Sequence, residues 1–564
     1  MSQEGEPRTF LHGSFPRSPL RVHYNRAMFT RAAAAVTLAV LLAPFAVAQP
    51  SPSAIAAHMR FLSNDLLEGR GTGTRGFQIA AEYVAAQYEA LGLEPGANGS
   101  WFQRVPFRKT TPIGDLSTVV LWRPGHIAAG LTFGTDYITS GDMLNETTEG
   151  GGQIVYVGYG ITAPERGYDD YAGVSVRGKT VVYVSGAPKS FDSEVGAHYS
   201  SSLEKLNNAA DHGAAAIVQL VTPDDERRYS WDRRSRGAKQ GAMSWLEADG
   251  TPHGTRREIR ATITLHPSAA AALFEGAQQS ADDVFRDLAK GEVPQHFLLP
   301  TTISMRLISK HERVESPNVV GILRGSDPKL KSEYVVYSAH LDHLGISDPV
   351  HGDTINNGAL DNASGIGAML EVARAFSRQA KRPRRSILFL AVTGEEKGLR
   401  GSDYFANNPT VPASSLAADI NIDEIFMFRP VTDVVAYGAE HSDLGAIAKS
   451  VAKSMKLTIS PDPYPEEVIF VRSDQYPFVK RGVPSIYVGS GYRSADGKHD
   501  VLKEQQQWLS TIYHTPQDEM TQPLDFSVAA MVAKFDYLVG AAVADAEAKP
   551  RWKKDDFFGE RFGK

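Results

Sequence analysis

The chain has 564 residues, of which 42% are hydrophobic and 22% are charged, a composition typical of a globular protein with two or three domains. The net charge of −6 and the absence of a basic stripe argue against nucleic acid as a partner. Because there is no cysteine, disulfides and thiolate metal sites are excluded, and any metal ion must be held by His, Asp and Glu side chains.

The N-terminus has the pattern of an export signal. Arg31 precedes an apolar run over residues 32–47, and Ala46-Val47-Ala48 is a small-x-small cleavage site. The run is too short for a membrane span. We therefore expect an N-terminal extension and signal peptide over residues 1–48, cleavage near Ala48, and a periplasmic or secreted protein without a stable membrane span.

Residues 49–115 are predicted to be the N-terminal part of a catalytic domain. Two amphipathic helices are expected at residues 54–67 and 78–91, followed by an edge strand at 101–107. The Gly-rich stretch between the helices, EGRGTGTRG, follows no strand and precedes no Lys-Ser/Thr pair, so a phosphate loop is not supported. We interpret it as a structural turn.

Residues 116–305 differ in character, with short β-rich runs separated by glycines, and predict an inserted β-rich domain. From residue 306 to 548 strands and amphipathic helices alternate, which predicts an α/β catalytic domain with a mixed central sheet covered by helices on both faces. Residues 549–564 form a charged C-terminal tail.

Two apolar runs in the catalytic domain lead directly into polar side chains. Residues 335–339 precede His340 and Asp342, and residues 387–392 precede Glu395 and Glu396. In open α/β sheets, ligands bind at the carboxyl ends of the strands. His340 is a candidate metal ligand, and Asp342 could accept a hydrogen bond from its ring and fix its orientation.

The adjacent carboxylates of Glu395 and Glu396 cannot point the same way, so one could bind a metal ion while the other acts as a general base. A solvated acidic pair is the alternative. Asp361, in the small-residue loop GALDNASG, could bridge two cations, although it could equally cap the following helix.

Two further candidates follow later strands. Asp423 lies after the strand at 417–422; Asp419 within that strand and Glu424, which is expected on the other face, are its rivals. His514 lies in IYHTPQDE, where a proline favours a rigid loop, and Tyr513 could donate a hydrogen bond to an oxyanion. Two histidines and three carboxylates suit a pair of catalytic zinc ions.

The stretches SAHLDHLG, NGALDNASG, TGEEKGLRGS, NIDE and YHTPQDE resemble, in this order, those of the M28 family of zinc aminopeptidases. The insertion, with GYGI, KTVVYVSG and AAAIVQL, resembles a protease-associated (PA) domain. The resemblance implies the zinc-peptidase (phosphorylase/hydrolase-like) fold and two Zn²⁺ ions, for which Co²⁺ or Mn²⁺ could substitute.

The resemblance also implies a role for each candidate. His340 and Asp423 would bind one ion, Glu396 and His514 the other, with Asp361 between them. Glu395 would be the general base, Tyr513 would stabilise the oxyanion, and Asp342 would orient His340. The family often shows SDHxPF where this chain has Gln475 in place of the histidine, which puts local substrate contacts in doubt.

The expected function is that of an exported metal-dependent aminopeptidase acting on the free N-termini of peptides or proteins. A dipeptide-releasing or carboxypeptidase-type enzyme of the same fold is the first alternative, and a glutaminyl cyclase is disfavoured by the insertion. A non-catalytic binding protein is the third, but such proteins typically lose metal ligands and all of them are present here.

Overall fold

The computed structural model describes residues 49–563, so the expected signal peptide and its cleavage site near Ala48 lie outside the described part. The α-helices are Pro52–Leu62, Arg75–Ala90, Ser193–Ser200, Ser202–Asp211, Pro223–Arg228, Trp231–Gln240, Pro267–Phe274, Ala281–Lys290, Ser364–Ser377, Arg400–Asn407, Leu444–Met455, Gln475–Val479, Val501–Thr511, Phe526–Asp545 and Phe557–Phe562. The strands are Glu94–Pro95, Phe102–Pro112, Thr118–Trp122, Ala129–Leu131, Tyr137–Ile138, Thr147–Tyr156, Thr162–Ala163, Tyr168–Asp169, Thr180–Val184, Ala216–Leu220, Ala242–Trp245, Ala261–Leu265, Phe297–Leu323, Tyr334–His340, Gly345–Val350, Asp353–Asn356, Ser386–Val392, Leu416–Asn421, Asp433–Tyr437, Thr458–Ser460 and Ser485–Ser490.

A mixed sheet forms the centre of the domain that is predicted to be catalytic. Its strands lie in the spatial order Phe102–Pro112, the second half of Phe297–Leu323, Ser386–Val392, Tyr334–His340, Leu416–Asn421, Ser485–Ser490, Asp433–Tyr437 and Thr458–Ser460. The four strands from Ser386–Val392 to Ser485–Ser490 are parallel, and every residue in them is buried. Burial on both faces explains why these segments read as continuous apolar runs in the sequence.

Helices cover both faces of this sheet. Alternate residues of one strand show the division, because Val335 and Tyr337 pack into the main core with helix Ser364–Ser377. Val336, between them, packs into a smaller core on the opposite face together with Phe405. The predicted fold class is therefore confirmed.

The helix Phe526–Asp545 is long and apolar enough, by length and composition, to cross a membrane. In this structure it is a core helix, because Val532, Phe535 and Val539 are completely buried in the main hydrophobic cluster. It packs against helices Pro52–Leu62 and Ser364–Ser377 on one face of the sheet.

The inserted segment forms a second sheet. Its spatial order is Ala129–Leu131, Thr118–Trp122, the first half of Phe297–Leu323, Thr147–Tyr156, Thr180–Val184, Ala216–Leu220, Ala261–Leu265 and Tyr137–Ile138. The long strand Phe297–Leu323 belongs to both sheets, so the boundary predicted after residue 305 falls inside a continuous strand. Strand Ala242–Trp245 of the insertion also pairs with Phe102–Pro112 of the first sheet.

The C-terminal tail packs onto the rest of the fold. Phe558 is completely buried in a cluster with Phe470. Beside it, the His441 ring contacts Asp556 of the tail and Glu194 of the inserted segment, each at 2.6 Å. Burial alone would lower the pKa of His441, but these two carboxylates raise it to about 9.

Candidate metal centre

The topology of the sheet brings the predicted ligands together. The parallel strands Ser386–Val392, Tyr334–His340 and Leu416–Asn421 are neighbours, so their carboxyl ends meet at one edge. His340 ends the middle strand, and Glu396 and Asp423 follow the two flanking strands within a few residues.

His340, Asp361 and Asp423 form one group of donors. The His340 Nε2 atom lies 3.2 Å from Asp361 Oδ1 and 3.0 Å from Asp423 Oδ1. Ligands that are each about 2.0–2.1 Å from a tetrahedral zinc ion lie about 3.3 Å apart, so the spacing suits a shared ion.

His514, Asp361 and Glu396 form a second group. The His514 Nε2 atom lies 3.1 Å from Asp361 Oδ2 and 3.2 Å from Glu396 Oε2. Asp361 thus directs one carboxylate oxygen to each group. The five side chains predicted as metal ligands meet around this residue.

The electrostatics of the cluster fit bound cations. Three carboxylates converge in a buried space, and Asp361 Oδ2 and Glu396 Oε1 accept no well-aligned hydrogen bond from the described residues, although a histidine ring lies close to each. Although burial opposes it, neighbouring carboxylates raise the pKa of both His340 and His514 well above its usual value, chiefly through Asp423 and Glu396 respectively. The cluster therefore favours positive charge, and its nitrogen and oxygen donors suit zinc.

His343 also belongs to this cluster, and the sequence analysis passed over it. Its ring is completely buried, and Nδ1 lies 2.7 Å from Glu396 Oε1 and 3.7 Å from Asp361 Oδ2. These three side chains form a further group with metal-binding spacing. The signal was present in SAHLDHLG, where a second histidine follows His340 by three residues.

Glu395 and Glu396 point in different directions, as their adjacency requires. Glu396 joins the second donor group, whereas Glu395 lines a cleft of about 230 Å³ that also reaches His340, Asp361 and Asp423. Burial raises the pKa of Glu395 well above its usual value, with a further contribution from Glu396 against the opposing effect of His340. The Glu395 carboxyl thus faces the cleft beside the cluster, where it can exchange a proton with a bound molecule.

Asp342 differs from the prediction in how it acts. The His340 ring contacts the backbone carbonyl of Asp342 through Nδ1 at 3.0 Å, rather than the carboxylate. The carboxylate instead accepts hydrogen bonds from the Glu395 N–H at 3.1 Å and the Thr72 hydroxyl at 2.9 Å. The chain turns after His340, which folds the carbonyl back to the imidazole and turns the side chain toward Glu395.

Tyr513 lines the same cleft. Its ring stacks on that of His514, with centroids 3.8 Å apart. Burial raises the pKa of Tyr513 well above its usual value, and the nearby Glu424 carboxylate adds to the effect. The phenol therefore keeps its proton and is available as a hydrogen-bond donor.

The part of the chain that carries the predicted ligands is similar to a known protein family. Residues 318–536 match the family described as Peptidase family M28. This part of the chain belongs to peptidase family M28. The match includes His340, Asp361, Glu395, Glu396 and Asp423, as well as His514.

Two curated relatives of the M28 domain are fungal. A probable zinc metalloprotease of Pyrenophora teres f. teres (strain 0-1) is 34% identical over 119 residues, which cover 20% of this chain and 24% of that protein. Another of Pyrenophora tritici-repentis (strain Pt-1C-BFP) is 23% identical over 377 residues, covering 61% and 74%. In the first relatives found, the matched part covers between 24% and 59% of their own length.

A solved structure extends the likeness beyond the M28 domain. The aminopeptidase from Aneurinibacillus sp. strain AM-1 aligns with a TM-score of 0.50 at 19% identity, covering 89% of this chain and 95% of that one. At this identity the likeness shows a shared fold.

Arg70, in the Gly-rich turn, forms hydrogen bonds that stabilise the M28 domain. The sequence analysis assigned this turn a structural role only. The Arg70 guanidinium is buried and donates hydrogen bonds to the backbone carbonyls of Leu341 at 2.9 Å, Asn357 at 2.6 Å and Gly358 at 3.0 Å. These carbonyls belong to the segments that carry His340 and Asp361. No local signal indicates this role, because these three partners of Arg70 lie more than 250 residues away in sequence.

Other buried side chains fix the remaining ligands of the M28 domain. The Asp518 carboxylate accepts hydrogen bonds from the backbone N–H groups of Leu360 and Asp361, both at 3.0 Å. The Ser473 hydroxyl donates to Asp423 Oδ2 at 2.6 Å. Such contacts hold ligands in a fixed orientation.

The rivals of Asp423 lie in different places. Asp419 is buried within its strand and accepts a hydrogen bond from Ser338, away from the cluster. Glu424 was expected on the other face, but it lines the cleft. The strand has ended there and Glu424 has a positive φ of 37°, so the alternation of a strand no longer applies.

Gln475, where the family often has histidine, is completely buried. Its side-chain nitrogen donates to the carbonyls of Ile469 and Phe470 at 3.1 and 2.8 Å, and its oxygen accepts from Asn421 at 2.8 Å. Gln475 therefore holds the backbone of Ile469 and Phe470 in place beside the cleft.

Proposed function

We propose that the chain is an exported zinc-dependent aminopeptidase that hydrolyses the peptide bond next to a free N-terminus. The observation that carries this proposal is the pair of donor groups that share Asp361 and open into a cleft lined by Glu395. Membership of the M28 domain in a peptidase family supports it.

His340 and Asp423 would hold one ion and Glu396 and His514 the other, with Asp361 shared between them. When bound, two Zn²⁺ ions, or Co²⁺ or Mn²⁺ in their place, supply Lewis acidity toward a water molecule and a carbonyl. The remaining steps belong to side chains of the protein.

Glu395 would remove a proton from the attacking water and later deliver it to the leaving amine. Its carboxylate faces the cleft, and the hydrogen bond from its own N–H to Asp342 fixes the backbone that carries it. Tyr513 would donate its O–H to the oxyanion as the carbonyl becomes tetrahedral. The raised pKa of this phenol ensures that the proton is present near neutral pH.

Glu424 supports recognition of a free N-terminus. Its carboxylate lines the cleft and forms no hydrogen bond or ion pair within residues 49–563. An unpaired carboxylate beside the reacting groups can accept the substrate α-ammonium group. An N-blocked peptide lacks that charge and would bind less well.

The proposal is tested with zinc-loaded enzyme on aminoacyl p-nitroanilides, N-blocked analogues and substrates cleaved from the C-terminus. We expect the free-amine substrates to be preferred, and Glu395→Gln to lower kcat about 10²- to 10⁴-fold while zinc content is unchanged. Glu440→Gln, on an exposed residue outside the cleft, is the control.

Undiminished turnover of Glu395→Gln would refute the assignment of the base. A preference for C-terminal substrates would favour a carboxypeptidase-type enzyme, and zinc binding without turnover would favour a binding protein. For export, we expect the protein recovered outside the cytoplasm to begin near Gln49; an intact N-terminus at Met1 would contradict it.

A further inference from the structure

The inserted segment contributes directly to the cleft of the catalytic domain. Arg228, Tyr229 and Arg233 line the same cavity as Glu395 and Tyr513. They come from the two consecutive helices Pro223–Arg228 and Trp231–Gln240 and the turn between them. The volume of about 230 Å³ is below the roughly 300–1,000 Å³ of sites for drug-sized ligands, so the cleft suits a small substrate.

Arg233 lies over the proposed catalytic tyrosine. Its guanidinium carbon is 5.6 Å from the centroid of the Tyr513 ring and 4.6 Å from that of Tyr229. One terminal nitrogen, Nη2, is buried and has no hydrogen-bond partner among the described residues. A guanidinium has five donors, and an unpaired one held against a cleft is unusual without a ligand.

Two neighbouring arginines, in contrast to Arg233, have carboxylate partners. Arg227 and Arg236, on the same two helices but outside the cleft, form ion pairs with Asp224 and Asp232. Within residues 49–563, no carboxylate lies within ion-pair distance of Arg233. Arg233 therefore brings a positive charge without a carboxylate partner to the cleft.

The third arginine of the cleft wall, Arg472, already has an anionic partner. Arg472 forms an ion pair with Glu467 at 2.7 Å. Arg233 and its neighbour Arg228 thus remain as the groups that can receive an anion. A planar carboxylate matches the paired donors of a guanidinium.

A guanidinium repels the α-ammonium group of a substrate, so on the proposed function Arg233 suits the leaving-group side of the scissile bond. Tyr513 would contact the oxyanion, and an extended chain advances about 3.3–3.6 Å per residue. The 5.6 Å between the Tyr513 ring and the Arg233 guanidinium therefore corresponds to one or two residues. A carboxylate at that distance is the C-terminus of a dipeptide or tripeptide.

We propose that Arg233 of the inserted segment binds the C-terminal carboxylate of short peptides, so that di- and tripeptides are the preferred substrates. The inference rests on the proposed aminopeptidase activity. A carboxylate on the side chain of the second residue offers the same chemistry and is separated from the C-terminus by the choice of substrates.

The test compares kcat/KM for leucylglycine, leucylglycine amide, leucylaspartyl amide and leucine p-nitroanilide. We expect the wild-type enzyme to favour leucylglycine over its amide by about 10- to 100-fold. Arg233→Ala should remove this preference, mainly through KM, and should lower kcat/KM for leucylglycine much more than for leucine p-nitroanilide. Arg233→Lys should restore part of it, and Arg236→Ala, on the same helix, should match wild type.

Equal rates on leucylglycine and its amide by the wild-type enzyme would overturn the proposal, and so would an equal loss of Arg233→Ala on all four substrates. If leucylaspartyl amide is cleaved faster than both leucylglycine amide and leucylglycine, Arg233 binds the side-chain carboxylate of the second residue. That result would also overturn the proposed preference for di- and tripeptides. If the zinc-loaded wild-type enzyme hydrolyses none of the substrates, the aminopeptidase assignment fails and this inference fails with it.

Discussion

Replacing Arg70 with alanine tests whether the residues beneath the cluster hold it in place. The side chain donates four hydrogen bonds to buried carbonyls, the fourth to Leu62, and each bond from a charged donor is worth about 1.5–3 kcal/mol. Relaxation and water entry recover part of this, so we expect a loss of about 3–5 kcal/mol in the stability of the catalytic domain.

The same substitution should weaken zinc binding about 10- to 100-fold, because the backbone that carries His340 and Asp361 loses its support. Zinc affinity is measured by competition with a chromogenic chelator, and stability by denaturant unfolding. Arg70→Lys keeps the charge but loses the fork of donors, so it should resemble alanine. Arg75→Ala, on an exposed neighbour, is the control. Wild-type zinc affinity and stability in Arg70→Ala would refute the positioning role.

Three further outcomes are expected. Tyr513→Phe should lower kcat about 10²- to 10³-fold with little change in KM or zinc content; a wild-type kcat would remove the oxyanion role. Chelation should abolish activity and lower the unfolding midpoint, with both restored by Zn²⁺, because buried carboxylates lose their compensating charge; activity that resists chelation would exclude a metal mechanism. Since the folded-state pKa of His441, about 9, lies above the unfolded value near 6.5, its contacts with Glu194 and Asp556 should contribute up to about 3 kcal/mol below pH 6.5, lost as the pH rises through 9. His441→Gln should therefore flatten that decline, and an unchanged pH profile would contradict the assignment.

The sequence predicted those features of the fold and of the metal centre that depend on a local pattern of residues. The apolar runs at residues 335–339 and 387–392 lie within the strands Tyr334–His340 and Ser386–Val392, which extend each run by only one or two residues. The predicted ligands follow buried strands, and the rule that strand ends meet at one edge of a parallel sheet brings them together. That is why His340 and Asp423, 83 residues apart, are 3.0 Å apart in space.

Residues whose role depends on distant partners were not predictable in this way. Arg70 and Arg233 act on segments far away in sequence, and nothing in their own surroundings indicates where their guanidinium groups point. Glu424 was placed on the wrong face because strand alternation was extended past the end of the strand. Asp342 was assigned through its carboxylate, whereas the turn after His340 presents its carbonyl instead.

The central claim is that two metal ions share Asp361. Crystals of the zinc-loaded protein measured at the zinc absorption edge test it most directly. We expect two anomalous peaks about 3.5–4 Å apart, one beside each carboxylate oxygen of Asp361. A single peak, or peaks away from Asp361, would contradict the shared centre.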